Sequence, residues 1–259
     1  MIARLQTKAS RSKRAQAKQN AQFDVLEARL ERWAFPKIRK ELNVIARDSI
    51  RDFNIGGVDR VRLNTQQDAQ KRIEELLNPI YDKAIKNAMK IMKKDSPEFQ
   101  NDLEAIENRL KEQYKGQAKK MSRLISKTTT NRMEQIEASG KEQGLTDEQI
   151  EKEMRRKLRS DATVRAKVIS QVETGSATQE SRNVSAEKVM GADTLKVWVT
   201  RRDSKVRDPH QDAEGQTVMM NEKFVINGKR QEEIPYPRYR GASAWNRINC
   251  RCRLRYEKV

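Results

Sequence analysis

Gly191-Ala192-Asp193-Thr194-Leu195-Lys196-Val197-Trp198-Val199-Thr200 decides the fold, because the spacing of apolar residues changes inside it. Leu195, Val197 and Val199 alternate with Lys196, Trp198 and Thr200, the period of two of a strand with one apolar face and Trp198 on the other. Before Gly191 apolar residues recur with a period near 3.6, the signature of helices. The chain therefore reads as α+β: a mostly helical N-terminal body followed by a small antiparallel β-containing C-terminal module.

Outward toward the C-terminus, Phe224-Val225-Ile226 leads into Asn227-Gly228 and a basic run, Lys229-Arg230. Asn-Gly after a β-branched run is a strong hairpin signal. Farther on, Cys250, Cys252, Leu254 and Tyr256 alternate with Arg251, Arg253 and Arg255, which predicts a strand with one buried face and one row of guanidiniums. Pairing this strand with Leu195–Thr200 would close the segment on itself and gather Trp198, Phe224 and Trp245 into a common core.

Outward toward the N-terminus, the helical stripes are Phe23, Leu26 and Leu30; Val44, Ile45 and Ile50; Ile80, Ala84, Ile85, Ala88, Met89 and Met92; Leu103, Ile106, Leu110 and Tyr114; and Met121, Leu124, Ile125, Thr128 and Ile136. Pro36 is expected to kink or restart its helix, and Gly56-Gly57 to break it. Thr146 and Gln149 fit a capping box at the start of a short helix carrying Ile150, Met154 and Leu158, and Val164, Val168, Ile169 and Val172 mark the next. A coiled coil over residues 60 to 160 is the competing reading, but Pro79, Pro97, Gly116 and Gly140 interrupt any sustained heptad, which favours a packed helical subdomain.

The composition sets the outer limits. Of 259 residues 36% are hydrophobic and 36% charged, with 55 basic against 37 acidic side chains and a formal net charge of +18. So little apolar material does not make one fully compact core. Nothing approaches the run of about 18 apolar residues that spans a membrane, and no apolar region follows the first charges as in a secretory leader. Two cysteines one residue apart make no disulfide framework, consistent with a reducing cytoplasm. The excess charge lies at the ends. Residues 1–22 hold six bases (Arg4, Lys8, Arg11, Lys13, Arg14, Lys18) and no acid, and residues 195–259 hold 15 bases and 8 acids. The organisation expected is a flexible basic arm (1–22), a helical region (23–118), a helical lead-in (119–194) and the small α+β module (195–259).

The ordered run Trp198-Val-Thr-Arg-Arg-Asp203-Ser-Lys-Val-Arg207-Asp-Pro-His210, then Glu214-Gly-Gln, Phe224, Pro235 and Ile248-Asn-Cys250-Arg-Cys252, resembles the phage Mu F-like minor head protein family. Upstream, Gly144-Leu-Thr146 and Arg165 to Glu173 resemble the helical lead-in of that family, so the likeness covers about residues 120 to 259. Two positions depart from the family pattern: Arg247-Ile248 stands where His-Pro often precedes Asn-Cys-Arg-Cys, and Val172 replaces a threonine. The resemblance implies a structural component of a tailed-phage head near the portal, connected with assembly, DNA packaging or ejection. Its partners would be the portal protein, the major capsid protein and packaged double-stranded DNA.

The residues themselves allow more than one chemistry. Cys250, Cys252 and His210, the only histidine, are three soft or borderline ligands able to close on Zn²⁺, with Asp203, Asp208 or Glu173 as a fourth. The alternative is that the cysteines pack as small hydrophobes while His210 fixes a turn. A Cys–His thiol enzyme lacks a recognisable orienting group and an oxyanion-hole motif. Asp203 and Arg207 form either a helical i,i+4 pair or loop contacts to Arg251 and the chain end, and Glu173 either accepts from arginines of the module or is solvated. Arg4, Lys8, Arg11, Lys13, Arg14 and Lys18, with Arg251, Arg253 and Arg255, are the candidate contacts to nucleic acid or an acidic partner; no base-reading motif accompanies them. The rival functions are a free, non-sequence-specific nucleic-acid-binding protein and a toxin-type enzyme built on the same module.

Overall fold

The computed structural model describes the backbone of residues 2–258 and the side-chain surroundings of residues 14–257. Four long helices, α1 (Ile2–Leu63), α2 (Thr65–Asp95), α3 (Gln100–Glu142) and α4 (Asp147–Met190), precede the module. Within the module the order is β1 (Thr194–Val199), α5 (Asp208–Asp212), β2 (Thr217–Met219), β3 (Phe224–Asn227), β4 (Gln231–Ile234), α6 (Ala244–Arg247) and β5 (Arg253–Lys258). The α+β reading is what the chain adopts.

The helices are longer than the sequence pattern predicts. Pro36 and Pro79 sit inside α1 and α2, and α1 leaves helical geometry only at Gly56 and Gly57, where Gly57 has φ 67°, a value that favours glycine. Pro36 lies on the exposed side of α1, where water can satisfy the carbonyl that loses its amide partner, so the expected restart does not occur. Likewise α3 continues through Gly116, and the two helices expected after Gly144 are the single α4. The capping box forms as read: Thr146 N–H donates to Gln149 Oε1 at 2.8 Å, and Gln149 N–H to Thr146 Oγ1 at 3.3 Å. Residues 2–22, expected as an arm outside the helices, belong to α1. The side chains of Arg4, Lys8, Arg11 and Lys13 lie outside the described residues; Arg14 and Lys18 are exposed.

The chain divides into two compact units. One comprises Leu30–Asp82 and Lys111–Ser170, with a core of Ala46, Ile50, Val61, Met133, Ile136, Ile150, Met154 and Leu158. In the same unit Tyr81 and Tyr114 meet at 4.8 Å between ring centroids. Leu124 and Val164, assigned to apolar stripes, are instead exposed. The other unit comprises Met1–Arg29, Lys83–Leu110 and Gln171–Val259, so the β module is grouped with stretches of all four long helices. Here the stripe from Ala84 to Met92 is buried as its spacing predicts.

In that second unit, β1 is the centre of an antiparallel sheet ordered β2-β1-β5, with Trp198 opposite Leu254, while β3 and β4 form a separate hairpin. The predicted pairing of the two ends of the module is therefore present. Both of its faces, however, are covered. Thr194, Lys196, Trp198 and Thr200 are buried on one, and on the other Val197 is buried while Leu195 and Val199 are half-buried. Lys196 reaches this interior because its ammonium donates to the carbonyls of Glu222 (2.7 Å) and Pro235 (2.9 Å) and lies 5.4 Å from the Phe224 ring centroid. Burial pushes its pKa down to about 8. Trp198 and Phe224 share the core as expected, but Trp245 is 44% exposed and outside it.

Candidate metal centre

Pro209 in the first turn of α5 presets the helical φ that brings His210 inward, and the residue is 1% exposed. Cys250 and Cys252, each 2% exposed, lie just before β5. The ligand atoms of these three residues all fall within 4.8 Å of one another, and His210 Nδ1 is 3.6 Å from Cys252 Sγ. The other ring nitrogen, Nε2, is 3.1 Å from Asn246 Oδ1. An amide oxygen accepts there, so Nε2 carries the proton and the lone pair of Nδ1 points to the thiols, as metal-binding histidines require. Asn246 is itself fixed on α6, whose N-terminal Ser243 Oγ accepts from the Asn246 amide at 3.4 Å. Trp198 closes the site with its ring edge-on to His210, centroids 5.6 Å apart.

A hydrogen bond from Cys252 holds Cys250 well below the usual thiol range, and that bond together with burial raises Cys252 above it. The three residues can hold a metal ion. Asp203, Asp208 and Glu173, the expected fourth ligands, do not join this group. Asp203 instead takes Arg251 in a bidentate pair at 2.6 and 2.9 Å, which holds its carboxyl below the ordinary range, and also accepts from the Lys205 amide at 3.0 Å. Arg207 donates to the Ile248 carbonyl. Of the two readings of Asp203 and Arg207, the loop contacts are the ones present. Glu173 is buried in α4.

A buried carboxylate supports both cysteines from behind. Glu27, 3% exposed on α1, accepts from Arg238 Nη1 (2.8 Å), Arg253 Nη2 (2.7 Å) and Gln179 Nε2 (2.7 Å). Arg238 in turn donates to the Cys250 carbonyl, and Arg253 to the Cys252 carbonyl at 3.0 Å. Thus one acid aims two guanidiniums at the backbone of the two candidate ligands. Arg238 passes α4 at Gly175, where a Cβ would stand 1.9 Å from its Nη1. The helical Gly175 was a legible signal for such an approach; nothing in the sequence marks Asn246 or Glu27. Arg182, 1% exposed, has no hydrogen-bond partner for any of its three nitrogens and lies 5.1 Å from the Phe23 ring and 5.6 Å from the Tyr256 ring.

The row of guanidiniums expected on β5 is not a free cationic face. Arg253 is 6% exposed and bound to Asp24 and Glu27, Arg251 is paired with Asp203, and Arg255 with Glu257 at 2.8 Å. Asp24 and Glu27 lie more than 200 positions from Arg253, and Asp203 is 48 positions from Arg251, so alternation alone does not show these pairings.

The family model described as "Phage Mu protein F like protein" matches residues 131–255. No curated protein and no solved structure matches the chain. The matched span takes in the end of α3, all of α4 and the module with His210, Cys250 and Cys252, and over that span the chain is similar to the Phage Mu protein F-like family.

Proposed function

We propose that this is a non-enzymatic minor head protein of a tailed phage, docking at the portal or inner capsid and assisting head assembly, DNA packaging or DNA ejection. The family match over 131–255 carries this reading. A structural role fits the site: both sulfurs are buried at 2% exposure, so a substrate carbonyl has no approach to them. The ion we assign to the site is Zn²⁺, since two thiols and one imidazole are its preferred donors and the imidazole is already oriented by Asn246. A zinc ion there would tie α5 to the start of β5. The partners proposed are the portal protein, the major capsid protein and packaged DNA, the last contacted by Arg14, Lys18 and the bases before them. Among the described residues no helix is long and apolar enough to cross a membrane.

The test is co-purification. Phage particles banded by density and washed at high salt are expected to retain the chain at a fixed ratio to the portal protein. Recovery of the chain only in the particle-free fraction would overturn the assignment.

A further inference from the structure

We infer that the surface around Trp245 binds the phosphodiester backbone of duplex DNA. The inference starts from which cations of the module remain unneutralised. Arg201, Arg202, Lys223, Arg238, Arg240, Arg251, Arg253 and Arg255 all have acid partners, and Lys196 is buried on carbonyls. Among the described residues of the module, Lys205 lies near Asp203 and Arg230 near Glu232, which leaves Arg207, Lys229 and Arg247. These three are not scattered. Arg207 lies just before α5, Lys229 in the turn joining β3 to β4 and Arg247 at the end of α6, segments that meet at Trp245; of the acids nearby, Asp208 begins α5 and Glu232 is engaged by the Ser243 amide at the start of α6.

The convergence is direct. Arg207 Cζ is 5.5 Å and Lys229 Nζ 5.1 Å from the Trp245 ring centroid, and a Cβ on Gly228 would stand 3.2 Å from Trp245 Nε1. Trp245 is 44% exposed where its neighbour Asn246 is 1% exposed and bound to His210. The indole is thus a fixed spacer holding a guanidinium and an ammonium at set positions, in the manner of a cation–π contact. Immobilised donors with no base-reading element beside them suit phosphate, which positions a protein without specifying sequence. That the polyanion is DNA rests on the head-protein reading above; the cationic, aromatic surface itself does not.

The experiment measures binding of the full chain to a short labelled duplex of arbitrary sequence across a salt series. Lys229→Glu is expected to weaken binding about tenfold at low salt and to flatten the dependence of log affinity on log salt by about one to two. Lys229→Gln should do the same in smaller measure, and duplex should perturb a fluorescence component that Trp245→Phe lacks. Lys152→Glu, an equal charge change at an exposed position of α4, should leave the slope unchanged. Equal losses for Lys229→Glu and Lys152→Glu would show diffuse attraction and sink the site. Polyglutamate that displaces duplex at matched charge and perturbs Trp245 equally would make the occupant an acidic protein and overturn the DNA assignment. Neither failure moves particle co-purification, which separates this inference from the head-protein reading.

Discussion

Replacing Gly175 by alanine is expected to destabilise the protein by about 3–5 kcal/mol, a large part of the total stability of a typical domain. The new Cβ would lie 1.9 Å from Arg238 Nη1, 2.9 Å from its Cζ and 3.1 Å from its Cδ. A guanidinium is the end of a flexible side chain and can swing away, but here doing so abandons Glu27 and the Cys250 carbonyl. Both charges are 3% exposed, so neither is rehydrated in place. Gly116→Ala is the matched control. It also sits in a helix, its Cβ meets nothing within 4 Å, and it should gain up to about 1 kcal/mol from helix propensity. Denaturant midpoints check the pair, and a Gly175→Ala midpoint as high as that of Gly116→Ala would show the Arg238–Glu27 contact to be dispensable.

The second large effect is metal removal. Freshly purified protein is expected to contain near-stoichiometric zinc, and at free zinc about a thousandfold above its dissociation constant the ion stabilises the folded state by about 4 kcal/mol. Cys252→Ser or His210→Ala should therefore lower the melting transition and abolish the metal content together. Because the thiols must lose protons to bind, chelators should strip the ion more readily as pH falls. Gly175→Ala adds a cross-check, since Arg238 holds the Cys250 carbonyl and its displacement should weaken zinc binding as well. Metal-free protein with an unchanged melting transition would leave His210, Cys250 and Cys252 as packing residues.

How much of this was legible in the sequence depends on where the partners lie. Local signals survive: the capping box at Thr146, the glycine break at Gly56-Gly57 and the change of period after Gly191 are set by residues within a few positions of one another. That His210, Cys250 and Cys252 are residue types able to hold a metal ion was also readable, though not that they cluster. Burial of polar groups was not. From Val172 to Asn183 every residue of α4 is buried, although the stretch is rich in Ser, Thr and charge. Its hydroxyls are satisfied internally, Thr178 on the Thr174 carbonyl and Ser181 on the Ala177 carbonyl, both at 2.8 Å. Arg253 and Lys196 were misplaced for the same reason: an acid more than 200 positions away, or two loop carbonyls, makes burial of a cation tolerable, and alternation carries no trace of either.

A reconstruction of intact particles focused on the portal vertex tests the central claim most directly. The head-protein account predicts density into which the α4 helix and the three-stranded β2-β1-β5 sheet can be fitted, in contact with the portal or the inner capsid wall. Vertex density fully explained by other proteins, in particles from which mass spectrometry also finds this chain missing, would contradict it.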